Sequence, residues 1–380
     1  MLKKKTTYWK GMVCGLILIL ILNIAARFHR FCDWYVEHIF PIWINTYGRF
    51  CDLFPFSFGE WMIVVGLILV LVAVVSGVLY IFLRGKEWYK RYARKFYKIF
   101  FAVFVWVGFI YTLNCNILYN CSVIDSNSET ENREYSNEEL GILRNYLVQQ
   151  INILSKKMQR DHRDMVLYEG DIGFEAKRAM NSLSDEYKRL GGYYPDAKPL
   201  AGSRFMSLTD MAGIYFPFSL EANYNREMCI KEYPSVICHE YAHLKGYIYE
   251  DEANFIAYLA CIGSDDIFFQ YSGYLSAYLY VEDAYLESVG DDQYFEMLSS
   301  GQIADLNYLA AFDSMQWLNE EAEEEVYCGE EGSFLNVDNM TQISEAATDA
   351  SLKMYGVEDG IASYDRVTEL LLQYYDGKLY

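Results

Sequence analysis

The sequence predicts a mainly α-helical membrane protein, in which three N-terminal transmembrane helices are followed by a soluble α+β domain. Hydrophobic residues make up 53% of the 380 residues, yet the formal net charge is −20. These properties belong to different parts of the chain. Residues 1–119 carry 14 basic and 5 acidic side chains, whereas residues 120–380 carry 18 basic and 47 acidic side chains. The acidic second part argues against nucleic-acid binding, because it would repel phosphates.

Three apolar stretches are long enough to cross a bilayer, which takes about 20 residues of helix. They run over residues 9–26, 61–83 and 96–119. Lysines at positions 3–5 precede the first stretch, so a cleaved signal peptide is the alternative interpretation there. Positions 27–29 hold Arg, Phe and His where a cleavage site needs small residues, which favours an uncleaved helix.

The distribution of basic residues predicts the orientation in the membrane. Three lysines precede the first apolar stretch, a fourth (Lys10) lies at its start, and seven Lys or Arg residues crowd positions 84–98. The positive-inside rule then places the N-terminus and positions 84–98 in the cytoplasm. We therefore predict a multi-pass protein of the cell membrane, with a membrane domain at 1–119, a linker at 120–135 and an extracytoplasmic domain at 136–380.

Helical patterns dominate the acidic part of the chain. Ser136 and Glu139 have the spacing of a capping box, and apolar residues recur at three- and four-residue intervals up to position 154. A second amphipathic helix is predicted over 174–190, ending at a pair of glycines. Nearly all of the chain after residue 234 has helical periodicity.

The best strand signal lies between Ser203 and Asn225, and it is strongest over the GIYFPF segment at 213–218. Pro217 favours an edge position in a sheet, because proline has no backbone N–H to donate to a neighbouring strand.

Cysteines outside the predicted membrane and motif helices give no clear disulfide pattern. Their number is odd and no CxxC occurs, so a cysteine zinc site is not indicated and pairing cannot be deduced. These residues are Cys32, Cys51, Cys121, Cys229 and Cys328.

An HExxH motif is the strongest chemical signal in the sequence. On a helix, His239 and His243 lie on one face, one turn apart, where two imidazoles can bind one Zn²⁺ ion. Glu240 lies beside them, where it can act as general base on zinc-bound water. Pro234 suits the first turn of such a helix, and Gly246 suits its end. The alternative is a helix with two partly exposed histidines and no metal.

The sequence EDEANFIAYLA follows the second histidine closely and predicts another helix. Glu250 and Asn254 share one face of it, as required for a third metal ligand and a group that orients a ligating histidine. A turn at 247–249 would fold this helix back on the first. Asp251 and Glu252 are the alternative third ligands.

The combination of HExxH and ExxAN resembles the gluzincin arrangement of zinc metallopeptidases. The whole chain also resembles an uncharacterised bacterial domain-of-unknown-function family. Its members have N-terminal membrane spans, a GIYFPF-like segment, a CHExAHxxG motif and an EDEANFxAYLAC-like helix, which residues 213–223, 238–246 and 250–261 match. A late SYDRV segment at 363–367 matches less closely. The resemblance implies an α+β, zincin-like extracytoplasmic domain with a small sheet and the HExxH helix. One departure from better-known gluzincins is the short gap between the two motifs.

The resemblance also implies a strand that binds an extended peptide substrate by β-augmentation. A buried strand of a small sheet is the alternative. The residues of this strand are Gly213, Ile214, Tyr215 and Phe216. A donor that stabilises the transition state is expected opposite Glu240. The candidates are Tyr271, Tyr274, Tyr278 and Arg204.

The sequence therefore predicts a membrane-anchored zinc metallopeptidase that acts on peptides or proteins outside the cytoplasm. His239, His243 and Glu250 would bind Zn²⁺, and Glu240 would be the general base. The alternative function is a non-catalytic, membrane-tethered sensor or scaffold that retains a zinc-binding fold. Nothing in the sequence indicates an oligomeric state.

Overall fold

A computed structural model of the protein describes residues 2–124, 133–162, 165–209, 211–289, 318 and 365–380. These residues are mainly helical and include two small sheets. They form two compact units. The N-terminal unit contains residues 1–122, 195–201 and 215–223, and the C-terminal unit contains residues 123–194, 202–214 and 224–380. Two short segments from later in the chain therefore belong to the N-terminal unit.

Helices of α type account for most of the regular structure. They are α1 (Leu2–Ala25), α2 (His29–His38), α3 (Phe40–Trp43), α4 (Arg49–Asp52), α5 (Phe58–Leu83), α6 (Glu87–Tyr111), α7 (Asn137–Ser155), α8 (Ile172–Ser182), α9 (Ser203–Ser207), α10 (Tyr233–Leu244), α11 (Glu250–Ile262), α12 (Ile267–Val289) and α13 (Asp365–Tyr375). Short π-helical segments cover Ile44–Gly48 and Thr112–Asn116. Turns of 3₁₀ helix cover Leu118–Asn120, Leu183–Asp185, Lys188–Leu190 and Ile230–Glu232.

The strands are short. They are β1 (Gln159–Arg160), β2 (Val166–Leu167), β3 (Lys198–Pro199), β4 (Gly213–Phe216) and β5 (Glu221–Tyr224). Strands β1 and β2 form an antiparallel pair in which Gln159 lies opposite Leu167. The other three strands form a sheet in the order β3-β5-β4, so β4 lies at an edge, as Pro217 predicts.

Three helices of the N-terminal unit are long and apolar enough to cross a membrane. They cover Thr7–Ala25, Phe58–Leu83 and Glu87–Asn120, which confirms the three predicted apolar helices and lengthens the third. Large apolar side chains on them are exposed, among them Leu67 at 66% and Phe82 at 77%. A surface of this kind is unfavourable in water and suits contact with lipid.

Polar side chains join the first and third of these helices. Asn23 donates from Nδ2 to the Thr112 hydroxyl at 3.1 Å, and its Oδ1 accepts from Asn116 at 2.9 Å. Hydrogen bonds between apolar helices are worth about 1 kcal/mol each and fix their rotation relative to one another.

A buried carboxylate explains why residues 215–223 belong to the N-terminal unit. Glu221 is fully buried and accepts hydrogen bonds from the backbone N–H groups of Phe58 at 3.1 Å and Gly59 at 2.8 Å. Lys198 donates to the same carboxylate at 2.7 Å. The negative charge therefore stabilises the N-terminus of α5 and is itself neutralised by a buried lysine.

The C-terminal unit is built around a helical core. Helices α7, α11, α12 and α13 contribute apolar side chains to one cluster, in which Leu143, Leu147 and Val281 are fully buried. Helix α7 begins with the predicted capping box. The Ser136 hydroxyl accepts from the Glu139 N–H at 3.3 Å, and the Glu139 carboxylate accepts from the Ser136 N–H at 2.8 Å.

Two predicted elements differ from the structure. The helix predicted over 174–190 ends at Ser182, because the chain continues in 3₁₀ turns and Asn181 accepts from the Gly192 N–H at 2.9 Å. The strand predicted over 203–225 begins instead with the short helix α9. A tight turn then separates β4 from β5, with Leu220 at a φ of 55°.

Most cysteines in the described ranges are reduced. Cys32, Cys51 and Cys121 are not disulfide-bonded, whereas Cys229 is. Cys328 and part of the late SYDRV segment lie outside the described residues.

Candidate metal centre

Helix α10 has the boundaries that its sequence predicts. Pro234 lies in its first turn, where the missing N–H has no intrahelical partner to lose, and Gly246 ends it with a φ of 90°. His239 and His243 lie one turn apart, with ring centroids 4.4 Å apart and ring planes at 85°. Their Nε2 atoms can therefore approach one point from different directions.

Helix α11 brings a carboxylate to the two histidines. Glu250 is its first residue and lies directly after the chain reversal at 245–249. One carboxylate oxygen lies 3.2 Å from His239 Nε2, and the other lies 3.6 Å from His243 Nε2. One potential ligand atom from each residue lies within 4.8 Å of the others. We refer to His239, His243 and Glu250 as the histidine–glutamate cluster.

Hydrogen bonds on the far side of each ring leave Nε2 free to bind a metal. His243 Nδ1 lies 2.8 Å from the Tyr247 carbonyl oxygen, which can only accept, so Nδ1 carries the proton. His239 Nδ1 lies 2.7 Å from Asn254 Oδ1, and with the side-chain amide in this orientation Nδ1 carries the proton. In both rings Nε2 consequently faces Glu250, and once its own proton is lost it can bind a metal, as in metal-binding histidines.

The charges of His243 and Glu250 strongly shift each other's pKa. Burial alone would lower the pKa of His243, but the charge of Glu250 and its hydrogen bond raise that pKa to about 9. Burial alone would raise the pKa of Glu250, but the two histidines hold that pKa well below its usual range. A metal ion binding at neutral pH would therefore displace a proton from His243.

The donor set fits a zinc ion. Two imidazole nitrogens and one carboxylate are the three protein ligands of one class of catalytic zinc site. Two atoms that each lie about 2.1 Å from one ion are at most about 4.2 Å apart. The nitrogen–oxygen distances of 3.2 Å and 3.6 Å lie within that limit. The side chains of His239 and Glu250 are 16% and 26% exposed, so the cluster is open to solvent on one side.

Glu240 lies against the first residue of strand β4. Its side chain is 4% exposed. A Cβ atom added to Gly213 would lie only 2.8 Å from Cγ and Cδ of Glu240. Glycine at this position therefore allows the backbone of β4 to approach the carboxylate closely. The sequence predicts this strand, but it gives no signal for the close approach to Glu240.

The two acids after Glu250 point away from the histidines. Asp251 is fully buried and lies 3.2 Å from Arg366 Nε. Glu252 is also buried and accepts a hydrogen bond from the Ile124 N–H. Burial raises the pKa of Glu252 to about 7. Of the three candidate third ligands, Glu250 is the one that the structure brings to His239 and His243.

A buried lysine holds the end of α10 in place. Lys245 donates to the carbonyl oxygens of Gly191 at 2.8 Å and Tyr193 at 3.1 Å, and its Nζ lies 3.9 Å from the centre of the Tyr194 ring. Burial lowers the pKa of Lys245 to about 7. Neither this contact nor the role of the Tyr247 carbonyl is visible in the sequence, although the stop signal at Gly246 predicts the chain reversal.

The tyrosines proposed as transition-state donors lie elsewhere. Tyr271, Tyr274 and Tyr278 belong to the hydrophobic core with α7, and the Tyr274 hydroxyl lies 3.5 Å from that of Tyr146. These tyrosines follow one another on α12 at three- and four-residue intervals. They therefore share one face of the helix, and that face packs in the core. Arg204 is exposed on α9. The described residues thus leave the expected donor unassigned.

Comparison with known proteins gives a family and no function. A family model described as a protein of unknown function (DUF3810) matches residues 35–372, which is most of the chain, so the chain belongs to that family. No curated protein and no solved structure matches it. The resemblance to an unknown-function family is confirmed, and its metallopeptidase-like interpretation stays a prediction.

Proposed function

We propose that this member of the unknown-function family is a membrane-anchored zinc metallopeptidase that hydrolyses peptide bonds outside the cytoplasm. The convergence of the histidine–glutamate cluster supports the proposal most strongly. Both Nδ1 atoms are engaged in outward hydrogen bonds, and both Nε2 atoms face the Glu250 carboxylate. A structural pair of helix histidines has no need for this arrangement.

In the proposed mechanism, His239, His243 and Glu250 hold the zinc ion, and Asn254 and the Tyr247 carbonyl orient the rings. When bound, the ion polarises the scissile carbonyl and makes water more acidic. Glu240 takes a proton from the attacking water and delivers it to the leaving amine. Its burial suits a carboxylate that must hold a proton between these two steps.

Strand β4 is the proposed substrate-binding element. It lies at an edge of its sheet, and at Gly213 its backbone comes close to Glu240. A peptide paired with this end of β4 would be extended, with its backbone groups near the general base. The close contact at Gly213 thus provides the link between substrate binding and proton transfer.

Two observations support a location outside the cytoplasm. Basic residues are concentrated before the first apolar helix and at positions 84–98, which favours a cytoplasmic position for both. Cys229, just before the 3₁₀ turn that leads into α10, is disulfide-bonded, and disulfides persist in oxidising compartments.

The experiment uses the full-length protein in detergent, with zinc content and cleavage of a mixed peptide library as readouts. Wild-type protein is expected to bind one zinc ion and to cleave. Glu240→Gln is expected to keep the zinc and to cleave about 10²–10⁴-fold more slowly, because it cannot transfer the proton. Glu252→Gln is the matched control, since this buried acid faces Ile124 and not the cluster.

Equal cleavage by wild type and Glu240→Gln would refute the mechanism. Bound zinc without cleavage of any library peptide would instead favour the alternative function, a membrane-tethered sensor or scaffold that retains the metal site.

A further inference from the structure

A cavity in the N-terminal unit combines basic and apolar walls. Its volume is about 510 Å³, and helices α1, α5 and α6 line it. Its lining includes the basic side chains of Lys90, Arg94 and Lys98 and the aromatic side chains of Trp9, Tyr97 and Phe101. Two residues of its lining, Tyr8 and Lys98, also line a neighbouring cavity.

The basic side chains form one stripe along α6. Lys90, Arg94 and Lys98 follow one another at four-residue spacing and so share a face of the helix. Lys90 pairs with Glu87 at 2.8 Å. Within the described part of the chain, Arg94 and Lys98 form no ion pair. Two positive charges beside an apolar cavity are therefore available to an anionic ligand.

The length of the third apolar helix places this stripe at the depth of lipid headgroups. The candidate span Glu87–Asn120 has 34 residues, about 50 Å of helix at 1.5 Å per residue. The hydrocarbon core of a bilayer is only about 30 Å thick. The basic beginning of α6 therefore extends beyond the hydrocarbon into the headgroup region, and lysine and arginine side chains are favourable there.

Another part of the cavity lining is apolar and aromatic. Trp9 and Phe101 pack with their ring centroids 6.1 Å apart. Tyr97 donates its hydroxyl hydrogen bond to the Ala73 carbonyl at 2.7 Å, which satisfies the polar end of the ring. This wall matches an acyl chain, as the basic wall matches a phosphate.

We propose that the cavity binds an anionic phospholipid. Its phosphate lies among Lys90, Arg94 and Lys98, and its acyl chain lies along Trp9 and Phe101. Free phosphate would neutralise the basic wall but leave the apolar wall uncovered. A neutral lipid would cover the apolar wall but leave Arg94 and Lys98 without a counter-charge.

The test is native mass spectrometry of the full-length, delipidated protein with phosphatidylglycerol and phosphatidylcholine of identical acyl chains. Wild-type protein is expected to prefer phosphatidylglycerol. Arg94→Gln/Lys98→Gln is expected to weaken phosphatidylglycerol binding roughly 20-fold, because each positive charge near a membrane surface strengthens binding about fivefold. Phosphatidylcholine binding is expected to stay unchanged.

Two further variants make the test specific. Lys86→Gln/Arg91→Gln removes the same charge from the same end of α6 without touching the cavity lining, and less than a threefold change is expected. Arg94→Lys/Lys98→Arg keeps the charge and is expected to keep binding. Equal loss in the two neutralised variants, equal binding of both lipids, or displacement of the lipid by inorganic phosphate would overturn the proposal.

Discussion

Two sets of side chains share the first turn of helix α11 but have opposite surroundings. Glu250 is partly exposed and meets two histidines, whereas Asp251 and Glu252 are buried and meet Arg366 and the Ile124 backbone. We call Asp251 and Glu252 the outer acids. Burial and a raised pKa occur at the outer acids, yet the convergence of donors occurs at the most exposed of the three. The convergence of donor atoms thus indicates the candidate metal ligand better than burial does, because buried acids also make purely structural contacts.

The two sides of the turn are expected to respond differently to substitution. Changes near the histidine–glutamate cluster should alter metal binding or cleavage at little cost in stability. Changes to the partners of the outer acids should alter stability and leave metal binding as it is.

Among the three substitutions that test the two sides of the turn, Gly213→Ala is expected to have the largest effect, a loss of cleavage. The added Cβ would lie 2.8 Å from Cγ and Cδ of Glu240, so the general base must move although no cluster residue is changed. A displacement of about 1 Å can cost 10²-fold in rate, and we expect a loss of about that size with zinc retained. The control is Gly173→Ala in α8, where the nearest atom to the new Cβ lies 3.5 Å away. Full activity of Gly213→Ala would show that Glu240 has no role in its present position.

A smaller effect, on metal affinity, is expected from Asn254→Ala. Its oxygen accepts from His239 Nδ1 at 2.7 Å, and removal of such a partner typically lowers zinc affinity 10–100-fold. Competition with a zinc-binding dye measures this change. Asn254→Asp keeps an acceptor oxygen and should stay within a few fold of wild type. If both variants bind zinc as tightly as wild type, His239 is not held for a metal.

The smallest effect is expected from Arg366→Gln, which leaves the outer acid Asp251 buried without its ion pair. Removing one partner of a fully buried pair costs about 3–5 kcal/mol. The Arg366 side chain is 43% exposed, so we expect a loss of roughly 1–2 kcal/mol. Chemical denaturation of the full-length protein measures it, and zinc content should not change. The control is Arg226→Gln, whose pair with Glu227 is exposed on both sides, and no measurable loss is expected there. Parallel loss of zinc in Arg366→Gln would mean that the two sides of the turn are not independent.

Local patterns in the sequence predict the helices whose boundaries and faces are set by neighbouring residues. Runs of apolar residues predict the three long helices, and the spacing of Pro234 and Gly246 predicts α10. The four-residue intervals of HExxH and ExxAN predict which side chains share a helix face. The convergence of Glu250 with both histidines follows once the short turn between the helices is recognised.

Contacts between distant parts of the chain could not be predicted in the same way. The partners of the outer acids, Ile124 and Arg366, are more than a hundred residues away from them. The approach of Gly213 to Glu240 depends on tertiary packing, which leaves no periodic signal. The early end of α8 depends on a side-chain hydrogen bond across a loop, where helical periodicity in the sequence continues past the true boundary.

The most direct measurement is the zinc content of three full-length proteins purified in parallel, the wild type, Glu250→Gln and Glu252→Gln. A ligating carboxylate must be charged, whereas a buried acid that accepts one backbone hydrogen bond tolerates an amide. We predict one zinc ion per chain in the wild type and in Glu252→Gln, with little or none in Glu250→Gln. Zinc at equal occupancy in all three, or in none of them, would contradict a metal site formed by His239, His243 and Glu250.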